Sequence, residues 1–395
     1  MESTHGTTPA ERSALPAITA RTLSASVGAA VVDLRSPVEF AEDHVPGAIN
    51  VPLLDDDERA LVGTLYRRAS PDKAFERGRL LVAERIEALV GAIARRADWA
   101  GAEVDLRERV LALTWGGAQR FGERLATDKI ASAPEQPVVL CCWRGGMRSR
   151  SVAYLLRELG LARACVLDGG YRAWRALVLA DLEAFVAPPT FVLRGFTGVG
   201  KTLVLRELEH LRPRSTLDLE ALAQHRSSIL GMVGLAPVTQ KAFESRMRER
   251  IVAGFDAELF VEGESRKVGD VIVPARVWSA LDGGVDLDLE APVERRVQVL
   301  LDDYLAHPGS MEELVPRLAF LDERLGVRPT LVERFQRGEH EAVVRLLLER
   351  YYDPLYRHTE QGRRYAARFD ASDPVLCARA IAAWVDARPT EGASA

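Results

Sequence analysis

Residues 136 to 160, QPVVLCCWRGGMRSRSVAYLLRELG, read as a buried strand, a tight loop and a helix closed by Gly160. An unbroken apolar run before the loop is the pattern of a strand covered on both faces, and such strands belong to parallel sheets. In open parallel sheets, ligands sit beyond the carboxyl ends of the strands, which is where Cys142 falls. Gly145 and Gly146 let the loop curl without Cβ clashes. The N–H groups of residues 143 to 148 and the positive end of the following helix then converge on the sulfur. With Arg144, Arg148 and Arg150 nearby, these surroundings favour a thiolate. The spacing of a cysteine, five residues and an arginine makes a cradle for a tetrahedral anion. Cys141, by strand alternation, points back into the sheet.

The neighbouring stretches continue the alternation. AAVVDLRSPVEFAEDHVPGAINVPL (29 to 53) reads as strand, short helix, Pro-Gly turn and strand, and ARACVLDGGYRAWRALV (162 to 178) as strand, Gly-Gly turn and helix. Residues 56 to 131 are helical in pattern, with apolar residues at three-and-four spacing. LEAFVAPPT (182 to 190) ends this unit at a Pro-Pro linker, and a second alternating pattern follows. FVLRG, STLDLE, AELFVEG and VDLDLE are its strands, and the chain is mainly helical from about residue 292. The expected fold class is therefore α/β, with a parallel-sheet domain over 17–181 carrying a helical insertion at 56–131. A second α/β domain over 190–386 has a helical C-terminal part.

Composition bounds the function. A chain of 395 residues, 47% hydrophobic and 28% charged, can bury two cores. The first sixteen or so residues and the closing RPTEGASA have the composition of frayed ends. No stretch is long and apolar enough to span a bilayer and no signal-peptide pattern opens the chain, so no membrane partner and a cytoplasmic location are expected. Four cysteines, Cys141, Cys142, Cys165 and Cys377, are too few and too unevenly spaced for a disulfide framework or a zinc site, and no metal centre is expected from them. A net charge of -5 gives no global sign of nucleic-acid binding, although a basic face can sit on an acidic protein. The only five lysines are Lys73, Lys129, Lys201, Lys241 and Lys267, which makes the position of each informative.

One of them lies in GFTGVGKT, residues 195 to 202, which fits G-x-x-x-x-G-K-[ST] between a strand and a helix. In that context Gly195, Gly198, Val199, Gly200, Lys201 and Thr202 form a phosphate loop. Amides of residues 198 to 202 cradle a diphosphate, Lys201 neutralises it, and the Thr202 hydroxyl can hold Mg²⁺. Asp218, Glu262 and Glu264 are the candidates for a supporting carboxylate, and the pattern does not choose among them. No tightly bound cofactor is expected.

Two resemblances rest on these residues. VVDLRSPVEFAEDHVPGAINVP, CWRGGMRS and VLDGGYRAWR together resemble a rhodanese domain, with Asp33 and Arg35 in its aspartate-arginine strand, Cys142 as its catalytic cysteine, and Trp143, Arg144, Gly145, Gly146 and Arg148 in its anion loop. Two features depart from a simple rhodanese: a long segment between Asn50 and Pro134, and a loop one residue longer than the common form. A rhodanese domain ahead of a P-loop NTPase-like domain, with LLDDDERALVGTLYRR, DLEALAQHRSS and VEGESRKVGD in register, resembles the tRNA 2-selenouridine synthases. That resemblance implies a transferase acting on wobble 2-thiouridine in the tRNA anticodon. It attaches a geranyl group from geranyl diphosphate to sulfur, then replaces the geranylated sulfur with selenium from selenophosphate. The diphosphate suits the phosphate loop and the selenophosphate suits the Cys142 cradle, where the thiolate either accepts selenium as a perselenide or only positions the anion. Arg226, Arg246, Arg248, Arg250, Arg266 and Lys267 are candidates for tRNA phosphate contacts. Two other readings stay open: a P-loop small-molecule kinase or ATPase with a regulatory rhodanese domain, and a non-catalytic sulfur carrier or tRNA-binding module.

Overall fold

The computed structural model describes residues 14–306, 309–359 and 362–388. It divides into two compact units, one ending at Ala180 and the other beginning at Asp181.

The first unit is built on a six-stranded parallel sheet of β1 (Leu15–Ile18), β2 (Ala30–Asp33), β3 (Ile49–Asn50), β4 (Thr127–Lys129), β5 (Val138–Cys141) and β6 (Ala164–Leu167), in the order β3-β2-β5-β6-β1-β4. β5 is buried along its whole length, as its unbroken apolar run requires. Its register pairs Asp33 with Cys141, which brings the carboxyl end of β2 beside the thiol loop. The insertion supplies four helices, Asp56–Arg68, Pro71–Ala97, Leu106–Leu113 and Gly117–Glu123. Ile86, Leu89, Val90 and Ile93 of the longest pack into the same core as Val32, Leu140 and Val166 of the sheet.

Two expectations are corrected here. Residues Leu15 and Pro16 are not part of a frayed end: β1 lies inside the sheet, paired with β6 on one side and β4 on the other. The insertion is likewise not helical throughout, because Thr127–Lys129 forms the edge strand β4 beside β1. The remainder of both expected frayed ends, residues 1–13 and 389–395, lies outside the described residues.

The second unit has a five-stranded parallel sheet of β7 (Thr190–Arg194), β8 (Thr216–Leu217), β9 (Leu259–Glu262), β12 (Val285–Glu290) and β13 (Ala367–Asp370), in the order β13-β12-β7-β9-β8. A separate antiparallel hairpin joins β10 (Lys267–Val268) and β11 (Val271–Ile272). The order places β7, which runs into the phosphate loop, next to β9, which ends at Glu262. Phe191, Leu193, Phe260, Leu287 and Ile381 share one core. A second core, among Leu314, Leu318, Leu331, Phe335 and Leu347, holds the C-terminal helices together. The edge strand β13 interrupts the stretch expected to be helical. No helix among the described residues is long and apolar enough to cross a membrane.

Candidate functional site

In the first unit the thiol loop is fixed by backbone packing. The Tyr171 N–H donates to the Cys142 carbonyl at 2.9 Å and the Arg172 N–H donates to the Trp143 carbonyl at 3.1 Å, so the Gly-Gly turn lies directly on the cysteine loop. The approach is too close for side chains. A Cβ on Gly145 (φ +63°) would stand 2.6 Å from the Leu167 carbonyl oxygen, and one on Gly170 (φ +61°) would stand 2.2 Å from that of Cys142. Glycine at both positions is therefore a steric requirement. Trp143 is half-buried against Tyr171, with ring centroids 5.6 Å apart.

Cys142 is buried, with its Sγ 3.2 Å from Ser149 Oγ in the first turn of the helix Met147–Glu158. Cys141 points into the sheet and is fully buried. Burial, reinforced by the carboxylate of Asp33, pushes its thiol well above the ordinary value. The three loop arginines do different work. Arg150 Nε donates to the Gly145 carbonyl at 2.8 Å and braces the loop. Arg148 is half-buried 3.8 Å from Glu39, and Arg144 is exposed. Among the described residues the N–H groups of Trp143, Arg144, Gly145 and Gly146 have no hydrogen-bond partner, which leaves them available to an anion.

Beneath the loop lies a network that supports it. Arg35 is completely buried: its Nε and Nη2 donate to Asp33, the shortest contact being 2.6 Å, and Nη2 also donates to the Asp43 carbonyl at 2.7 Å. Its guanidinium carbon stands 3.8 Å from the Tyr171 ring centroid, and the Tyr171 hydroxyl donates to the Asp43 carboxylate at 2.7 Å. Asp33 and Arg35 thus hold the floor of the loop in place.

In the second unit the loop from Gly195 to Thr202 joins β7 to the helix Lys201–Leu211. Lys201 Nζ donates to the Gly195 carbonyl at 3.2 Å and lies 3.9 Å from Glu264. The Val199 N–H donates to the Phe196 carbonyl at 3.1 Å, so this amide closes the turn and is not one of the open donors expected of residues 198 to 202. The buried Arg296 secures the outer side, with Nε donating to the Thr197 carbonyl at 2.9 Å and both terminal nitrogens donating to Asp353. The Gly195 N–H donates to the Tyr356 hydroxyl at 2.6 Å. Neither Arg296 nor Tyr356 stood out in the sequence, because each comes from the helical C-terminal part and reaches the loop only through the fold.

Of the three candidate supporting carboxylates, Glu262 is the one in contact with Thr202. It ends β9 fully buried, and the Thr202 hydroxyl donates to it at 2.5 Å. Asp218 instead caps the helix Leu219–Ala223 through the Ala221 N–H at 2.7 Å. Burial first, then the neighbouring Asp218, Glu220 and Glu264, push the Glu262 carboxyl well above its ordinary range. Glu220, which the sequence did not single out, is pushed up to about 8 by burial and by Glu264. Four carboxyl groups crowd around one lysine, and their upward shifts reflect burial and mutual repulsion that a divalent cation would relieve. No cluster of three or more His, Cys, Asp or Glu among the described residues could hold a metal. Mg²⁺ would therefore rest on Thr202, Glu262 and oxygens of the bound phosphates.

The loop opens into a cavity of about 1330 Å³. Its walls include Leu235, Val299, Leu300, Tyr304, Tyr352 and Leu355, all within the second unit. The six arginines and lysines suggested for tRNA fall into separate groups. Arg248 is buried with its Nε 2.8 Å from Asp181, and Arg250 donates to the carbonyls of Thr216 and Gly254 while stacking over Phe255. Both serve the fold, a correction that follows from the inward face of the helix Gln240–Val252. Arg226 lines the cavity, paired with Asp303 at 2.5 Å, whereas Arg246, Arg266 and Lys267 are exposed.

Residues 19–77 and 114–177 match the family model of the rhodanese-like domain, and residues 188–315 match that of the tRNA 2-selenouridine synthase AAA domain. Three similar proteins carry the name tRNA 2-selenouridine synthase. That of Chromohalobacter salexigens is 29% identical, covering 85% of this chain and 90% of its own. That of Cupriavidus pinatubonensis is 31% identical with the same coverage, and that of Cupriavidus necator is 32% identical, covering 87% and 91%.

Proposed function

This chain belongs to the tRNA 2-selenouridine synthase family, and from that premise we propose that it converts wobble 2-thiouridine in the tRNA anticodon to 2-selenouridine, in two steps served by two anion cradles. In the first step the thione sulfur attacks C1 of geranyl diphosphate held at the phosphate loop: an S–C bond forms, a C–O bond breaks, and diphosphate leaves. Lys201 and the open loop amides stabilise the charge that develops on the leaving oxygens. Mg²⁺ on Thr202 and Glu262, when bound, supplies further neutralisation of that charge. In the second step selenophosphate occupies the Cys142 loop, where the amides of residues 143 to 146 and the Arg144 and Arg148 side chains hold its phosphate. Selenium bonds to C2 of the base, the geranyl thiol departs, and phosphorus passes to water as phosphate. Arg246, Arg266 and Lys267 are exposed and remain available to tRNA phosphates.

The observation that carries this reading is a phosphate loop that opens into a cavity of mixed lining, in which Leu235, Val299, Leu300, Tyr304, Tyr352 and Leu355 stand among charged side chains such as Arg206, Arg295 and Asp303. A prenyl diphosphate has the matching shape of an anionic head and an apolar tail. Ligand protection tests it. Geranyl diphosphate at about 100 times its Kd should stabilise the chain by about 2.7 kcal/mol and raise its melting temperature. Protection by ATP with phosphoryl transfer, and none by geranyl diphosphate, would establish the kinase reading instead.

A further inference from the structure

S-alkylation of a thiouracil leaves a proton to be removed. As the sulfur bonds to carbon and diphosphate departs with the C–O electron pair, C2 becomes doubly bonded to N3, and the ring regains neutrality only when N3 gives up its hydrogen. The carboxylates around the phosphate loop are poorly suited to take it. Three of them are already engaged: Glu262 accepts from Thr202, Asp218 caps its helix, and Glu264 faces Lys201.

His225 is a different kind of group. It lines the same cavity, on the segment that follows the helix Leu219–Ala223. Side chains there alternate between anchored and unpartnered. Arg226 is tied to Asp303 and to the Val233 carbonyl at 2.7 Å, and Ser228 Oγ lies 3.0 Å from the Tyr304 hydroxyl. His225 Nδ1 and Ser227 Oγ, between them, are buried polar atoms with no hydrogen-bond partner among the described residues. Gln224 and Ser227 both adopt the left-handed region (φ +52° and +46°), a local strain that the anchored neighbours sustain.

The ring itself is clamped. A Cβ on Gly231 would lie 2.6 Å from His225 Cε1 and 2.8 Å from Nδ1, and one on Gly269, in the β10–β11 turn, would lie 2.5 Å from Cγ and 2.7 Å from Cδ2. The two glycines confine the ring at Cε1, Nδ1, Cγ and Cδ2, and of its two nitrogens only Nδ1 is buried without a partner among the described residues, which leaves Nε2 as the nitrogen open to the cavity that the residue lines. Burial pushes the imidazole below its ordinary value. Asp270 opposes this, Arg226 and Arg317 push the same way as burial, and the neutral, proton-accepting form prevails at neutral pH.

We propose that His225, through Nε2, accepts the N3 proton of the thiouracil during S-geranylation. The assignment rests on the reading of this cavity as the geranyl diphosphate site.

The test uses the full chain, geranyl diphosphate, Mg²⁺ and tRNA bearing wobble 2-thiouridine, with initial geranylation rates measured from acid to alkaline pH. The wild-type rate should fall on the acid side as one proton is taken up. His225→Ala should be about 100-fold or more slower at neutral pH, should lose that acid limb, and should gain rate with added imidazole or at alkaline pH, where thiouracil loses the N3 proton unaided. His225→Gln, which keeps a polar side chain in the clamp, should behave alike, and both variants should still be thermally protected by inorganic pyrophosphate. Variants with the wild-type rate, or with a uniform loss and the acid limb intact, would overturn the assignment and leave the functional reading standing. A wild-type chain that transfers no geranyl group would overturn the functional reading first, and the role of His225 with it.

Discussion

Replacing Gly170 by alanine tests whether the Gly-Gly turn is what shapes the thiol loop. Two costs add. At φ +61° an L-residue pays about 1–2 kcal/mol for the left-handed conformation, partly offset by about 0.4–1 kcal/mol from the stiffer unfolded chain. The new Cβ would also stand 2.2 Å from the Cys142 carbonyl oxygen and 2.4 Å from the Gly145 nitrogen, both backbone atoms that cannot rotate aside. Making room shifts the loop by about 1 Å, and strain of that kind costs about 1–3 kcal/mol. The expected loss is about 2–4 kcal/mol. Gly47→Ala is the control: its φ is +71° and nothing lies within 4 Å of the added Cβ, so only the conformational cost of about 1 kcal/mol applies. Equilibrium urea denaturation of both variants reads the difference as a shift in midpoint of about 1 M, given ordinary denaturant slopes. Alkylation of Cys142 in the native protein reports whether the loop has moved. Equal midpoints for the two variants would refute the argument that backbone contact with the turn holds the loop.

Three further outcomes follow from the same geometry. Arg35→Leu strands Asp33 as a buried, unpaired carboxylate and should cost about 3–5 kcal/mol in denaturant unfolding, and Arg35→Lys should recover little because one ammonium cannot span Asp33 and the Asp43 carbonyl. Cys142→Ser should abolish selenium incorporation into tRNA while Cys141→Ser retains most of it. In the wild-type chain Cys141, held protonated by burial, should resist iodoacetamide until the protein unfolds, and equal loss in the two variants would contradict the loop geometry. Glu262→Gln should raise the Mg²⁺ concentration needed for geranylation by roughly 10-fold, read from a Mg²⁺ titration of the initial rate.

Much of the architecture was legible because its signals are local. The run before Cys142, the glycines after it, and the Gly-x4-Gly-Lys-Thr loop each announce a strand, a turn and a helix within about ten residues. What escaped depends on distant partners. β1 is four residues beside the chain end, and only pairing with β6 and β4, more than a hundred residues away, makes it an interior strand. β13 is a half-exposed edge strand whose register is set by β12. Among Asp218, Glu262 and Glu264 the sequence offered no choice, because all three flank strands. The fold tells them apart, since Glu262 touches Thr202 and Asp218 is occupied as a helix cap. Arg248 and Arg250 read as a basic stripe, yet half of that helix faces inward. His225 lay within a quoted motif without distinction, since the glycines that clamp it come from separate segments.

In the proposed reaction each cradle serves one anion and one step. Lys201→Ala and Cys142→Ser proteins are each incubated with thiolated tRNA and with tRNA already geranylated, and the wobble nucleoside is identified by mass spectrometry. Lys201→Ala should leave thiolated tRNA unchanged but selenate geranylated tRNA, because only the first step discharges a diphosphate. Cys142→Ser should accumulate geranylated tRNA and stop there. A folded Lys201→Ala protein that binds geranylated tRNA and still fails to selenate it would show that the phosphate loop serves both steps, and would contradict the division of labour between the two sites.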